Sequence, residues 1–307
     1  MSDLSHQIYN PMLCDVESGV CSIPESNSGI NENRLTAEQK PIKIIYFTDP
    51  ICSSCWGIEP QMRKLKLEYG PIFDMEYRMG GLLPDWNYQS GKINKASDVA
   101  HHWDEVSVYY DMPIDGNIWL EDPLHSSYPP SVAFIAAAFQ SKEKAVTMLR
   151  DLREMVFLKK QNITKWEHIR EAATQSKLDI DQLKTDYENG AMLRFKEDLA
   201  YAQSLGVRGF PTFIFANADG LQEKLYGAKP YEAFENIILK LAPLVQAKNY
   251  KTDWNSLFEI YPTLSSREFA ELSNMNRSES DNLLQALFEQ GIIGKLEIKN
   301  GKFWHRV

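Results

Sequence analysis

The chain has little cysteine, no long apolar run and no excess of positive charge. Four cysteines in 307 residues are too few for the disulfide scaffold that small secreted domains need. The longest uninterrupted apolar run, Val132 to Phe139, has eight residues, whereas a membrane-spanning helix needs about 20. The net charge is −9, which works against non-specific attraction to phosphate backbones. Neither a membrane nor a nucleic acid is therefore the expected partner.

The amino terminus lacks the pattern of a secretory signal. Residues Met1 to Gln7 show no basic segment followed by an apolar core, so we expect a cytoplasmic protein. The length favours two domains at about 150 residues each. A hydrophobic share of 43% with 24% charged residues is an ordinary globular composition.

The chain divides by pattern into three segments. Residues 1–40 are rich in Pro, Gly, Ser and Asn, which predicts a flexible arm. Residues 41–246 open with a predicted strand at 43–48, a single helix from Ser53 and a strand at 73–79. Five helical patterns follow over about 85–205. The segment closes with a hairpin of strands at 211–216 and 221–226 and a helix from Pro230 to about Val245. Residues 253–307 form a further segment of their own, for which the pattern predicts three helices and a hairpin.

The C-terminal segment has the order of elements of a small winged-helix-like domain, a shape that often binds DNA. Its hairpin is predicted to turn at Asn300-Gly301. The segment carries eight Asp plus Glu against six Lys plus Arg, and the helix predicted from Ser278 begins with acids. Because such a helix would repel phosphates, we favour a module that packs on the chain or binds another protein.

Cys52 and Cys55 form a Cys-x-x-Cys motif between a predicted strand and a predicted helix. The helix amino terminus favours thiolate over thiol, so Cys52 is the expected attacking sulfur and Cys55, one turn inward, the expected resolving thiol. Two alternatives stay open: half of a zinc site, or two small buried residues. Cys14 and Cys21 have six residues between them, the wrong spacing for a zinc knuckle, and the sequence predicts no metal site.

Two acids and one aromatic residue flank the motif. Asp49 and Glu59 add negative charge, which opposes a very low thiolate pKa. Glu59 follows Cys55 by four residues on one helical face, where it is either a proton acceptor for Cys55 or a solvated carboxylate. Trp56 either flattens a substrate groove beside the sulfurs or is a core aromatic. Cys14 and Cys21 are either a second redox pair or incidental thiols, and we favour the second alternative.

The stretch Asp49-Pro-Ile-Cys-Ser-Ser-Cys-Trp-Gly-Ile-Glu-Pro60 and the distant Leu205-Gly-Val-Arg-Gly-Phe-Pro-Thr212 together resemble the DsbA family of thioredoxin-like proteins, particularly its FrnE-like and predicted disulfide-isomerase branches. The resemblance covers about residues 42–245. It implies an α/β thioredoxin fold with a helical insertion. It also implies a cis peptide bond between Phe210 and Pro211 beside the Cys52 sulfur, where the Phe210 backbone can pair with an extended substrate.

Two functions follow from the resemblance. The first is a cytoplasmic thiol–disulfide oxidoreductase or isomerase, which needs no dissociable cofactor and acts on disulfides of proteins or small thiols. Its site residues are Cys52 and Cys55 for exchange, with Phe210, Pro211 and Trp56 for substrate binding. The second is an adaptor of the SpxH type, which binds a client protein for the ClpXP protease, and the separate C-terminal segment fits such a protein partner. A Gly-Gly-Leu-Leu-Pro stretch fits the isomerase-like branch better, so the sequence places exchange first.

Overall fold

The computed structural model describes residues 40–86 and 95–307, together with the backbone of residues 14–15 and 20–22. Within these ranges no helix is both long enough and apolar enough to cross a bilayer. We call residues 40–86 and 95–252 the body, and residues 253–307 the C-terminal region.

Two short strands lie in the N-terminal segment, β1 (Cys14–Asp15) and β2 (Val20–Ser22), and they form an antiparallel pair. β2 also pairs antiparallel with β5 (Gly209–Phe210) of the body. The sequence did not predict these two strands within the arm of residues 1–40, because a partner strand supplies backbone hydrogen bonds that no side-chain pattern records. The flexible arm itself stays a prediction. The rest of that arm lies outside the described residues.

The body is built around a mixed sheet of four strands in the order β4-β3-β6-β7. These are β3 (Ile42–Thr48), β4 (Phe73–Met79), β6 (Thr212–Asn217) and β7 (Gln222–Tyr226). β3 runs parallel to β4 and antiparallel to β6, and β7 runs antiparallel to β6. The sequence predicted all four strands to within one residue at each end, and the sheet joins the two halves of the body as expected.

Both faces of the sheet are covered, because β3 alternates its side chains between two cores. Ile44 and Tyr46 belong to one core, and Phe47 belongs to the other. The first core lies under α2 (Glu59–Tyr69) and α10 (Tyr231–Leu241), and the second includes α1 (Ser53–Gly57).

Prolines explain two differences from the predicted helices. The sequence predicted one helix from Ser53 onward. The structure has two helices, α1 and α2, which are separated at Ile58. Pro60 lies in the first turn of α2, a position that proline favours at the start of a helix and not in its interior. α10 ends at Leu241 instead of about Val245. The residue before Pro243 is driven out of the helical region, and Ala242 has φ −141° and ψ 77°.

The insertion between the two halves of the sheet is helical over residues 96–204. Its helices are α3 (Ala96–Tyr110), α4 (Ile118–Glu121), α5 (Tyr128–Gln140), α6 (Lys142–Leu158), α7 (Trp166–Gln175), α8 (Ile180–Asn189) and α9 (Ala191–Ser204). The sequence predicted five of them and missed α4 and α8. Leu183 is the buried residue of α8. One buried apolar position is too few to show the helical period in the sequence.

The C-terminal region contains three helices and an antiparallel sheet in the order β8-β10-β9. Its elements are α11 (Trp254–Ile260), β8 (Thr263–Ser265), α12 (Ser266–Ser273), α13 (Arg277–Glu289), β9 (Ile293–Ile298) and β10 (Gly301–Arg306). The sequence missed β8, a short strand held by pairing with β10. The hairpin turns one residue earlier than predicted, at Lys299 and Asn300, since Ile298 pairs with Gly301. The winged-helix assignment stays a prediction.

Candidate functional site

Cys52 caps the helix that begins after it. Its φ and ψ are −74° and 107°, and its sulfur accepts a hydrogen bond from the Cys55 backbone N–H at 3.1 Å. The first turn of a helix leaves its N–H groups without helical partners, so the sequence of strand, tight turn and helix aims one of them at this sulfur. Both cysteines are present as thiols and are completely buried.

The two thiols have opposite pKa shifts. Burial raises the pKa of Cys52 well above its usual value, and its neighbour Cys55 adds to the rise. Burial also acts to raise the pKa of Cys55, but the hydrogen bond from Cys52 and the charge of Arg153 outweigh it, so the net shift is downward. The expected lowering at Cys52 is thus not what this arrangement gives. These two directions favour the proton on Cys52 and the thiolate on Cys55.

Arg153, which the sequence analysis missed, supplies the positive charge at the thiols. It lies on α6 and is 1% exposed; its guanidinium donates to Thr48 Oγ1 at 2.6 Å and to Glu59 Oε1 at 2.6 Å. In the sequence, Arg153 falls between Leu149 and Val156 on one helical stripe of α6. A charged residue on an apolar stripe was the signal that could have found it.

The two acids near the motif are bound within the protein. Glu59 is an ion-pair partner of Arg153 and Arg150, so it is not the solvated carboxylate that was one of its two predicted roles. Its role as a proton acceptor for Cys55 stays a prediction. Asp49 is completely buried and accepts hydrogen bonds from Leu82 N at 2.7 Å and Ser127 Oγ at 2.9 Å. Burial raises the pKa of Asp49 to about 6. Asp49 therefore ties the loop after β4 to the turn before the dithiol.

Phe210 and Pro211 lie at the same end of the sheet as the dithiol. Their peptide bond is cis, as the resemblance implied. The next residue, Thr212, pairs with Phe47 near the end of β3, the strand that leads into the dithiol. Phe210 is completely buried and shares a core with both cysteines.

A close approach of backbone and ring shapes this end of the sheet. A Cβ on Gly80 would lie 1.8 Å from the Phe210 ring, so a residue larger than glycine would have to move that ring. The Gly80 N–H donates to the Thr48 carbonyl at 2.8 Å, which extends the pairing of β4 with β3. The Gly-Gly sequence after β4 therefore serves packing against Phe210 in addition to turning the chain.

Trp56 is packed as a core aromatic, which is one of the two roles that the sequence left open for it. It is completely buried, its indole N–H donates to the Pro113 carbonyl at 3.1 Å, and its ring stacks on Phe157 with centroids 5.5 Å apart. Phe303 of the C-terminal region reaches the same core. Trp56 thus joins the dithiol helix to the insertion and to the C-terminal region.

Buried ion pairs fasten the C-terminal region to the body. Arg150 makes a two-pronged contact with Glu268, at 2.7 and 3.1 Å. Arg63 lies 3.3 Å from the same carboxylate and donates to the Thr263 carbonyl at 2.7 Å. Glu154 accepts from Arg150 at 2.7 Å and from the Thr263 hydroxyl at 2.6 Å. We call these five residues the junction.

Metal ligation receives no support from the part of the chain that the structure describes. Across those residues no three His, Cys, Asp or Glu side chains are grouped as ligands.

The mixed sheet, the thiols at the end of β3 and the cis proline before β6 define the class: a thioredoxin-like protein of the DsbA type. A family model described as thioredoxin matches residues 46–236. Among solved structures, the cytosolic disulfide reductase DsbM from Pseudomonas aeruginosa has a TM-score of 0.53 at 21% identity, covering 65% of this chain and 100% of that one. At this identity the likeness concerns the fold.

Closer relatives extend over almost the whole chain. The ClpXP adapter protein SpxH of Halalkalibacterium halodurans is 32% identical over 301 residues, which is 96% of this chain and 97% of the relative. The SpxH protein of Bacillus subtilis strain 168 is 29% identical, with 87% of this chain and 89% of the relative covered. The chain belongs to the family of the SpxH proteins.

Proposed function

We propose that the protein is an adaptor that brings a client protein to the ClpXP protease in the cytoplasm. The observation that supports the adaptor most strongly is the likeness to a ClpXP adapter protein, which covers 96% of this chain. That likeness includes the C-terminal region, which lies beyond the thioredoxin match at residues 46–236. The sequence placed the adaptor second, and the relatives favour placing it first.

The junction supports this proposal. An adaptor holds two partners at a fixed spacing, which requires a surface that does not reorganise each time a partner binds. The contacts of Arg150 and Arg63 with Glu268 hold the C-terminal region against the body, and Phe303 lies in the main core. A partner can therefore meet body and C-terminal region as one surface.

Reconstitution with purified ClpXP tests the proposal. Proteins that copurify with the tagged chain from cells are purified singly and added to ClpXP with and without the chain. We expect at least one to be degraded about tenfold faster with the chain, since tethering raises the effective client concentration at the protease. A set of copurifying proteins whose degradation is the same with and without the chain would contradict the adaptor.

Thiol–disulfide exchange is the second candidate, and one observation favours it. The Cys55 N–H points at the Cys52 sulfur at 3.1 Å while Arg153 lies beside the pair. In the exchange, the Cys52 proton passes to Cys55 as the Cys52 sulfur attacks a disulfide and expels a thiolate. Cys55 then loses that proton to the departing thiolate and attacks Cys52, which releases the second thiolate. Disulfides of proteins or small thiols would be the substrates.

Turnover of a model disulfide tests this second candidate. The wild type should catalyse reduction of insulin by a dithiol, and Cys52→Ser should abolish the catalysis. Cys55→Ser should instead accumulate mixed disulfides at Cys52, because the resolving thiol is gone. Full turnover by Cys52→Ser would show that the assigned sulfur is wrong.

A further inference from the structure

The N-terminal strand β2 lies along the edge of β5. Cys21 pairs with Phe210 and Ser22 pairs with Gly209, in antiparallel register. Cα atoms of β2 also lie within 8 Å of Cα atoms of α1, the helix that begins directly after Cys52. The backbone thus places Cys21 opposite the residue that precedes Pro211, at the dithiol end of the sheet.

β2 lies in a polar segment that shows no strand pattern in the sequence. It forms a strand because the edge of β5 offers backbone groups for pairing. An unpaired strand edge carries N–H and C=O groups that bind any extended chain through the backbone alone. Phe210 is completely buried, and buried backbone groups need partners. β2 meets that need from within the same chain, so an external strand at this edge would have to displace it.

Cys14 and Cys21 are partners in the β1–β2 ladder. Directly opposed residues of antiparallel strands have Cα atoms about 4.5–5.5 Å apart, and a disulfide needs about 4.4–6.8 Å. The register therefore fits a Cys14–Cys21 disulfide, one of whose members sits opposite Phe210.

We propose that the paired strands β1 and β2 carry a built-in substrate of the dithiol, a Cys14–Cys21 disulfide in which Cys21 exchanges with Cys52. This rests on the exchange chemistry that is the second candidate function. The incidental role favoured for Cys14 and Cys21 from the sequence is replaced by one that the strand register supports. A small-molecule disulfide such as oxidised glutathione is the oxidant that forms the Cys14–Cys21 bond.

The exchange balances in atoms and electrons. The Cys52 proton moves to Cys55, the Cys52–Cys21 bond forms, and the Cys21–Cys14 bond breaks. Cys14 leaves as a thiolate and takes the proton from Cys55. The Cys55 thiolate then attacks Cys52, so that the Cys52–Cys55 disulfide forms and Cys21 leaves as a thiolate. Two electrons pass from the dithiol of the body to the disulfide of the segment.

Two full-length variants with two cysteines each test the register. Cys14→Ser/Cys55→Ser keeps Cys21 with Cys52, and Cys21→Ser/Cys55→Ser keeps Cys14 with Cys52. Each is treated with one equivalent of dithiodipyridine, and the intramolecular disulfide is followed by intact mass and peptide mapping. We expect the first variant to close about tenfold faster, at a rate independent of protein concentration, because the strand pairing raises the local concentration of Cys21. Equal rates, or disulfides between molecules only, would overturn the proposal.

A third variant separates this proposal from the exchange function. Cys14→Ser/Cys21→Ser keeps the dithiol intact. If it reduces insulin normally while the trapping variants close equally fast, exchange stands and the built-in substrate is refuted. If it is inert towards insulin, the exchange function fails, and the built-in substrate fails with it.

Discussion

The dithiol end of the sheet and the junction draw on the same helix but differ in how completely their polar groups are satisfied. Arg153 places its positive charge beside the thiols. Arg150, one turn away on α6, donates hydrogen bonds to Glu268. At the junction both oxygens of Glu268 accept hydrogen bonds, while at the dithiol the buried Nε of Arg153 has no hydrogen-bond partner among the residues that the structure describes. A buried polar group without a partner needs an explanation, and a redox or catalytic role is one. We therefore propose that the junction holds the fold and that the dithiol carries the exchange of the second candidate function.

The largest expected effect tests the junction. Glu268→Gln keeps the shape but removes the charge that Arg150 and Arg63 share, and breaking a buried ion pair costs about 3–5 kcal/mol. We expect urea unfolding to show that loss. Glu271→Gln is the matched control on the same helix: its partner Lys64 is 3.5 Å away and its side chain is 29% exposed, so the loss should be at most about 1 kcal/mol. Similar losses in both variants would show that the junction holds the fold no better than a surface ion pair does.

The pH dependence of stability tests the dithiol end. The folded-state pKa of Asp49 is raised to about 6 from 3.8, so the folded chain keeps this proton longer than the unfolded chain. Stability from Asp49 is complete below about pH 4 and is lost as the pH rises through about 6, by about 3 kcal/mol. Asp49→Asn should flatten this part of the curve, measured by urea unfolding across that range. Asp74→Asn, at an exposed position of β4, should leave the curve as it is; equal flattening by both would contradict the assignment.

The contact of Gly80 with Phe210 gives a smaller effect at the same end. A Cβ at Gly80 would lie 1.8 Å from the ring, whereas one at Gly190 would lie 3.8 Å from Phe139, an ordinary contact. We expect Gly80→Ala to lose about 1–3 kcal/mol through overpacking, seen as a lower melting temperature. Gly190→Ala should melt close to the wild type. A Gly80→Ala protein as stable as the wild type would show that Phe210 is free to shift.

The smallest expected effect is a shift in the pKa of Cys55 when Arg153 is replaced. Arg153→Met removes the cation that holds down the pKa of Cys55, so the midpoint of the thiolate absorbance should move to higher pH. The exchange rate at neutral pH should fall by about an order of magnitude. Arg150→Met, which removes a buried cation of the same helix but leaves Arg153 in place, should keep the midpoint. An unchanged midpoint in Arg153→Met would assign the low pKa to the Cys52 hydrogen bond alone.

The parts of the fold predictable from sequence are those with local patterns. β3 and β4 follow from their apolar spacing, and the capping of α12 follows from Ser265 and Glu268, which exchange hydrogen bonds through the backbone. The cis peptide bond between Phe210 and Pro211 was predicted from the family resemblance. No local sequence pattern predicts it.

The parts that sequence did not reveal are long-range. Arg153 reaches Thr48 and Glu59 across about a hundred positions of chain, and no spacing rule links residues so far apart. β2 forms because β5 offers it backbone partners, which leaves no trace in side-chain composition. The opposite pKa shifts of the two thiols could not be predicted either, because they depend on the burial of Cys52, on the hydrogen bond from Cys52 to Cys55 and on the distant Arg153.

Degradation of a client by purified ClpXP in the presence of Cys52→Ser/Cys55→Ser and of Glu268→Gln tests the adaptor proposal most directly. Client recognition through surface complementarity does not need the thiols, so the double serine variant should support degradation at the wild-type rate. Glu268→Gln, which loosens the C-terminal region, should slow it. If the double serine variant abolished delivery while Glu268→Gln left it intact, the dithiol rather than the joined surface would carry the function, which would contradict an adaptor that works through its surface.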